Sequence, residues 1–209
     1  MLTASIIIPA YRADFIGETI LSIANQTIKP KEVILLYNIY PDEDVNSKIN
    51  RGISLSTADS FIVLGDDDKI HPEFVEKTLA KMEETNADII YTDMEQFGVE
   101  PGIHRPGHHF ELDRFPENFG IFFTSLTKKS IWERVGGYDV MCGPFCDWDF
   151  WWMCAEHGAK AVYLNEPLFQ YRRHSSQDSQ NLSNEMCKWS RDYILEKHKN
   201  TKLKPQRHK

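Results

Sequence analysis

Residues 60–72 read Ser60-Phe-Ile-Val-Leu-Gly-Asp-Asp-Asp-Lys-Ile-His-Pro72, a short unbroken apolar run that stops at three adjacent carboxylates, Asp66, Asp67 and Asp68. An apolar run of this length, ended by glycine, reads as a strand buried on both faces. Pro72 then opens a helix, because its missing N–H and fixed φ suit a first turn. Phe74, Val75, Thr78, Leu79 and Met82 fall on one face of that helix. Strand, acidic turn and amphipathic helix make one unit of an alternating α/β chain. In open sheets of that kind ligands bind beyond the carboxyl ends of the strands, which is where the triplet stands.

Outward from this stretch the alternation continues. Ser5-Ile-Ile-Ile-Pro9 is a strand, residues 16–23 a helix, 32–37 a second buried strand, 45–55 a helix and 87–91 a fourth strand. This spacing predicts a mostly parallel sheet covered on both faces. Residues 96–120 hold Pro101, Pro106, Pro116 and four glycines, which predicts a functional or mobile loop. Beyond it come a strand at 122–126, a helix at 128–135 stopped by Gly136-Gly137, a tryptophan-rich helix at 147–157, short strands at 161–164 and 168–171, and a closing helix at 184–197.

At 209 residues the chain makes one domain, and 41% apolar with 26% charged residues excludes wholesale disorder. No apolar run approaches the roughly 20 residues that span a bilayer, and the start reads as a strand rather than a signal peptide. These features predict a cytoplasmic product whose cysteines, Cys142, Cys146, Cys154 and Cys187, stay reduced; their spacing is not that of a zinc site. The net charge is −7, yet residues 197–209 carry six basic residues and no acid, so the body before them stands at −13. A body so acidic is a poor nucleic-acid binder, and an anionic substrate there needs a metal ion or a local basic patch. The basic end reads as a solvated tail or the start of a linker to a further domain.

Three adjacent carboxylates repel one another unless a cation lies between them, and hard oxygen ligands suit Mg²⁺ or Mn²⁺, which bridge to a diphosphate. The alternative is a solvated acidic turn that caps the helix after Pro72.

Six stretches occur together in chain order: residues 5–12 (Ser-Ile-Ile-Ile-Pro-Ala-Tyr-Arg), Asn50-Arg51-Gly52, residues 64–72, Val135-Gly-Gly-Tyr-Asp139, Cys146-Asp-Trp-Asp-Phe-Trp151 and Tyr171-Arg-Arg-His174. Each is weak alone, but in this register they resemble the GT-A glycosyltransferases of family two, the inverting group that uses nucleotide-sugar donors. The resemblance runs over residues 4–178 and implies a single GT-A α/β domain, residues 1–196, with a mostly parallel mixed sheet flanked by helices. A chain this short also fits one domain of a longer polypeptide, as in the multidomain glycosyltransferases of large DNA viruses.

By position, the resemblance implies that Asp66 and Asp67 are the ribose and metal carboxylates, with Asp67 the direct ligand of Mn²⁺ or Mg²⁺ and Asp68 and His174 beside it. Many relatives have Asp-x-Asp-Asp where this chain has Gly65-Asp66-Asp67-Asp68, which leaves the ribose contact to Asp66. Pro9, Ala10, Tyr11 and Arg12 match the loop that holds the nucleoside, and Arg51 a second stretch near it. Where the family places an Asp-Asp pair that reads the base, this chain has Tyr37-Asn38; the Asn38 amide offers both a donor and an acceptor to a uracil edge. Asp147 matches the catalytic base, the alternative being a helix cap. Arg172 or Arg173 is a candidate to supply positive charge to the leaving diphosphate, the alternative being surface ion pairs. Trp148, Trp151 and Trp152 are a sugar-stacking wall or, by default, core. His104, His108 and His109 suggest an acceptor-side lid more than a metal site.

The expected reaction is transfer of a hexose or deoxyhexose from a UDP-sugar to a sugar hydroxyl of a glycan acceptor, with inversion and a metal ion. A sugar-nucleotide pyrophosphorylase shares the strand and helix order but wants a glycine-rich phosphate loop that Pro9-Ala-Tyr-Arg12 lacks. A catalytically degenerate sugar-binding module is the non-enzyme alternative, to which Tyr37, Gly65 and Cys146 are suited.

Overall fold

The computed structural model describes residues 1–37, 43–106, 110, 115–116, 121–174 and 182–200. Asn38, His108 and His109 lie outside them. The first half follows the hydrophobic periods closely: β1 (Ala4–Pro9), α1 (Ile16–Ala24), β2 (Glu32–Leu36), α2 (Val45–Leu55), β3 (Ser60–Val63), a two-residue β4 (Lys69–Ile70) and α3 (Phe74–Thr85). The buried residues of α3 are the five expected from their spacing.

The second half departs from simple alternation. Strand β5 (Ile89–Gly98) is ten residues long and turns back into β6 (Gly102–His104), so a hairpin occupies the start of what reads in sequence as a loop. Gly98 sits at φ +90° with Arg173 O only 2.5 Å from where a Cβ would stand, a position that only glycine fills. Strand β7 (Leu126–Lys128) begins where the expected strand ends, and α4 (Lys129–Val135) follows. A 3₁₀ turn (Val140–Phe145) leads into α5 (Cys146–Glu156). The two short strands expected near 161 and 168 are one strand, β8 (Ala161–Arg173), whose register against β5 shifts around Asp93. That irregularity absorbs Asn165, Glu166 and Pro167, the residues that interrupt the apolar pattern. Helix α6 (Asn184–His198) includes Lys197 and His198, two residues that the charge count assigns to the tail.

The sheet order is β2-β1-β3-β7-β5-β8-β4, with β6 beside the second half of β5. Pairs β1–β2, β1–β3 and β5–β8 are parallel; β7 runs antiparallel to both β3 and β5, and β4 to β8. The sheet is thus mixed. Alternating side chains of the central strands feed two cores: Ile6, Ile8, Ile62 and Leu64 pack with Ile23 of α1 and with α3, whereas Ile7, Phe61 and Val63 pack with Ile49 and Ile53 of α2 and with α5. Helix α5 is buried nearly all round, and Trp148, Trp151 and Trp152 are core residues rather than a sugar-stacking wall.

Candidate active site

The carboxyl ends of β1 and β3 lie side by side in parallel register, so the loop after one meets the acidic turn after the other. The contact is specific. Asp66 Oδ2 accepts hydrogen bonds from the backbone N–H of Tyr11 at 2.7 Å and of Arg12 at 2.8 Å. The turn is fastened beneath by Thr19 of α1, whose hydroxyl lies 3.0 Å from the Asp66 carbonyl and 2.7 Å from that of Asp68.

The three acids face different surroundings. Asp67 is part-exposed, and its Oδ2 stands 2.9 Å from His174 Nε2. Asp68 is buried, and its Oδ1 accepts the Arg172 backbone N–H at 2.9 Å. Burial, and then the neighbouring Asp67 charge, push the Asp68 carboxyl well above its ordinary range. Arg172 braces the turn: Nε donates to the Asp67 carbonyl at 2.8 Å, Nη2 pairs with Glu18, and the guanidinium stacks against Phe15 and Phe97. Arg173, next along β8, belongs to the opposite face by strand alternation, with its carbonyl bonded to Val99 N. Of the two arginines, Arg172 is the one that touches the acidic turn, which it holds together.

A pocket of about 560 Å³ opens over this turn, lined by Pro9, Tyr11, Arg12, Asp44, Val45, Asn46 and Gly65 to Asp67. Phe123, Val140, Gly143, Pro144, Tyr171, Leu182 and Met186 complete the lining. Ala10 is buried below the loop, where its carbonyl accepts the Lys48 ammonium at 3.2 Å. Lys48 also lies 3.4 Å from the centre of the Tyr11 ring, and burial lowers its pKa. Arg51 is not a pocket residue; it makes a two-pronged pair with Glu43, at 2.8 and 2.7 Å.

The motifs at 50–52 and 135–139 are two halves of one contact. Asn50 Oδ1 accepts from Trp132 Nε1 and Tyr138 N, while its Nδ2 donates to the Tyr138 carbonyl at 2.7 Å. One helical turn earlier, Asn46 Nδ2 donates to the carbonyls of Asp139 and Gly143. Gly52 is glycine for packing: a Cβ there would stand 2.4 Å from Ile7 Cγ2. Helix α2 thereby fixes the segment that runs from Gly136 into α5.

Asp147 sits in the first turn of α5, three residues past the pocket-lining Pro144, with Oδ1 accepting Trp148 N at 2.8 Å. Burial pushes its pKa up to about 6, with the Trp148 hydrogen bond opposing. Asp149, two residues on, is fully buried between Lys197 at 2.8 Å and His198 at 2.9 Å, and serves structure. Asp139, Cys142 and Asp149 also lie together, but the Lys197 ammonium bonds both carboxylates and supplies the positive charge. The four cysteines are free thiols, and burial raises the pKa of Cys142, Cys146 and Cys154. Sequence reasoning missed Asp44, Asn46 and Lys48; the signal for the last was a lysine on the buried face of α2, next to Ile49 and Gly52.

A mixed sheet of this order, with an acidic turn at the end of its third strand, is the GT-A glycosyltransferase fold. The structure matches that of S. aureus TarS 1-349 in complex with UDP-GlcNAc at a TM-score of 0.78 and 13% identity, over 97% of this chain and 68% of that one. The same protein in complex with UDP matches at 0.75 and 15%, over 97% of this chain and 67% of that one. Residues 43–143 match the model of "Glycosyl transferase family 2". The "Uncharacterized glycosyltransferase YwdF" of Bacillus subtilis (strain 168) is 26% identical, over 93% of this chain and 83% of its own length. A "PGL/p-HBAD biosynthesis glycosyltransferase" of Mycobacterium bovis is 27% identical over 62% of this chain, which spans about half of that protein (51%). Over residues 43–143 the chain is thus similar to glycosyl transferase family 2, on a GT-A fold. Among the described residues no helix is long and apolar enough to cross a membrane.

Proposed function

We propose that this glycosyltransferase moves a hexose or deoxyhexose from a UDP-sugar to a sugar hydroxyl of a glycan acceptor, with inversion and with a divalent ion, Mn²⁺ or Mg²⁺. The observation that carries the reading is the join between the Tyr11-Arg12 loop and the acid triplet at the floor of one pocket. Structures of similar fold were solved in complex with UDP and UDP-GlcNAc, which supports a uridine donor.

The triplet suits a cation. A Cβ at position 65 would meet Asp68 Oδ2 at 2.9 Å and Asp67 Oδ1 at 3.0 Å, so the glycine leaves room beside two carboxylate oxygens. Hard oxygen donors of this kind, with His174 next to Asp67, fit Mn²⁺ or Mg²⁺. A bound ion supplies positive charge to the departing diphosphate. Asp67 is the principal ligand and Asp68 and His174 flank it; Asp66 orients the nucleoside loop and faces the ribose. Arg172 keeps the turn in shape. Asp147 takes the acceptor proton as the new bond forms, and a pKa of about 6 leaves it ionised yet basic near neutrality.

Calorimetry with UDP, with and without Mn²⁺, tests the reading. Metal-dependent UDP binding is expected, followed by slow release of sugar to water from UDP-sugars in preference to GDP- or dTDP-sugars. Binding of free sugar with no UDP binding would overturn it in favour of a sugar-binding module.

A further inference from the structure

The residues lining the pocket differ in chemistry by origin. Its charged residues, Arg12, Asp44, Asp66 and Asp67, come from the loop after β1, the start of α2 and the acid turn, and suit a nucleotide diphosphate. Phe123, Val140, Pro144, Leu182 and Met186, from the segments at 123, 140–144 and 182–186, bring no charged side chain.

The apolar lining continues on α6. Met186 is 48% exposed and Val140 47%, although both line the pocket, and Trp189, one turn beyond Met186, is 48% exposed. Trp189 is held in place: its ring stacks on Tyr193, and it lies 3.4 Å from where a Cβ of Gly143 would stand. Gly143, at φ +59° and ψ −134°, adopts a conformation suited to glycine, and the indole packs beside that turn. A fixed, half-exposed indole that continues an apolar pocket wall is a recognition surface rather than a stray surface residue.

We propose that Val140, Met186 and Trp189 seat the apolar aglycone of the acceptor, so that the acceptor class is an amphiphile: a sugar head carrying an alkyl or aryl group. This rests on the transferase reading, because the seat adjoins the turn that leads to Asp147. The donor takes the charged residues of the lining, and the acceptor's hydroxyl enters the same pocket while its apolar group lies over α6.

The test titrates the full chain, with UDP and Mn²⁺ present, with octyl β-glucoside below its micelle concentration and with methyl β-glucoside, following heat by calorimetry. Octyl glucoside should bind at least about tenfold tighter, since each buried methylene adds to the transfer free energy. Trp189→Ala should remove that preference while melting temperature and UDP affinity stay close to the parent's, and Met186→Gln should weaken it. Equal binding of the two glycosides, or an octyl preference that survives both substitutions, would overturn the seat. So would sedimentation showing a dimer that Trp189→Ala dissociates, because a second copy would then cover the face. UDP affinity, read separately, reports on the donor reading: normal UDP binding without an octyl preference sinks the seat alone, and no UDP binding sinks the transferase reading.

Discussion

At Asp147 two roles predict opposite results. A carboxylate pushed up to about 6 by burial is a cost to the fold at neutral pH: absent below the ordinary value of 3.8, growing as pH rises, and complete above about 6. Asp147→Asn should therefore melt at or above the parent's temperature at pH 7. Turnover should fall by roughly a hundredfold or more, with UDP affinity within a few-fold. In the parent, the transfer rate should climb with pH through a midpoint near 6, and a profile flat from pH 5 to 8 would remove Asp147 from the chemistry. Asp67→Ala should abolish the Mn²⁺ dependence of UDP binding seen by calorimetry and leave the melting temperature nearly unchanged, because the side chain is part-exposed and its backbone carbonyl still receives Arg172. The acids themselves were legible in sequence, because three adjacent carboxylates at the end of an apolar strand repel one another and so call for a cation or a built turn. Which of the three is buried was not, because the burial of Asp68 depends on Arg172, more than a hundred residues away.

Helix α2 shows what motif reading misses. Asn50-Arg51-Gly52 marks the right place, yet Arg51 pairs with Glu43, Asn50 holds the turn at Tyr138, and Gly52 lets the helix close on Ile7. Asn50→Ala leaves Trp132 Nε1 and Tyr138 N without their acceptor and should cost about 2–4 kcal/mol in urea unfolding. Asn46→Ala should cost less, about 1 kcal/mol, since it also removes an Oδ1 that is buried without a partner. Helices α5 and α6 are joined by a buried charge cluster that spacing could not reveal, because its members are 48 and 49 residues apart. Asp149→Ala should destabilise by about 1.5–3 kcal/mol, because Lys197 keeps only Asp139 and His198 only Glu156 as partners. Burial lowers the His198 pKa, but the hydrogen bonds to Asp149 and Glu156 outweigh it and the net shift is upward. Its contribution is thus full below pH 6.5 and is lost as pH rises through the folded-state value, so chemical denaturation should show a stability decline above pH 6.5 that His198→Gln abolishes.

Across the whole molecule, the parallel half of the sheet was readable because each strand there is followed by a helix of clear period. The β5–β6 hairpin and the single bent β8 were not, because proline and polar residues at 99–101 and 165–167 break the local pattern while long-range pairing restores it. That pairing sets the order in which the pocket can come into being. The acid turn is complete by residue 68, but Arg172 and His174, which receive it, are made about a hundred residues later. At ribosomal speeds of roughly 5–20 residues per second, the turn waits on the order of 5–20 s for its partners. Until then β5 has an open edge, and Asp68 has no reason to leave water. A nascent chain halted after α5 should be protease-sensitive and blind to UDP, and sugar transfer can begin only once β8 has closed the sheet.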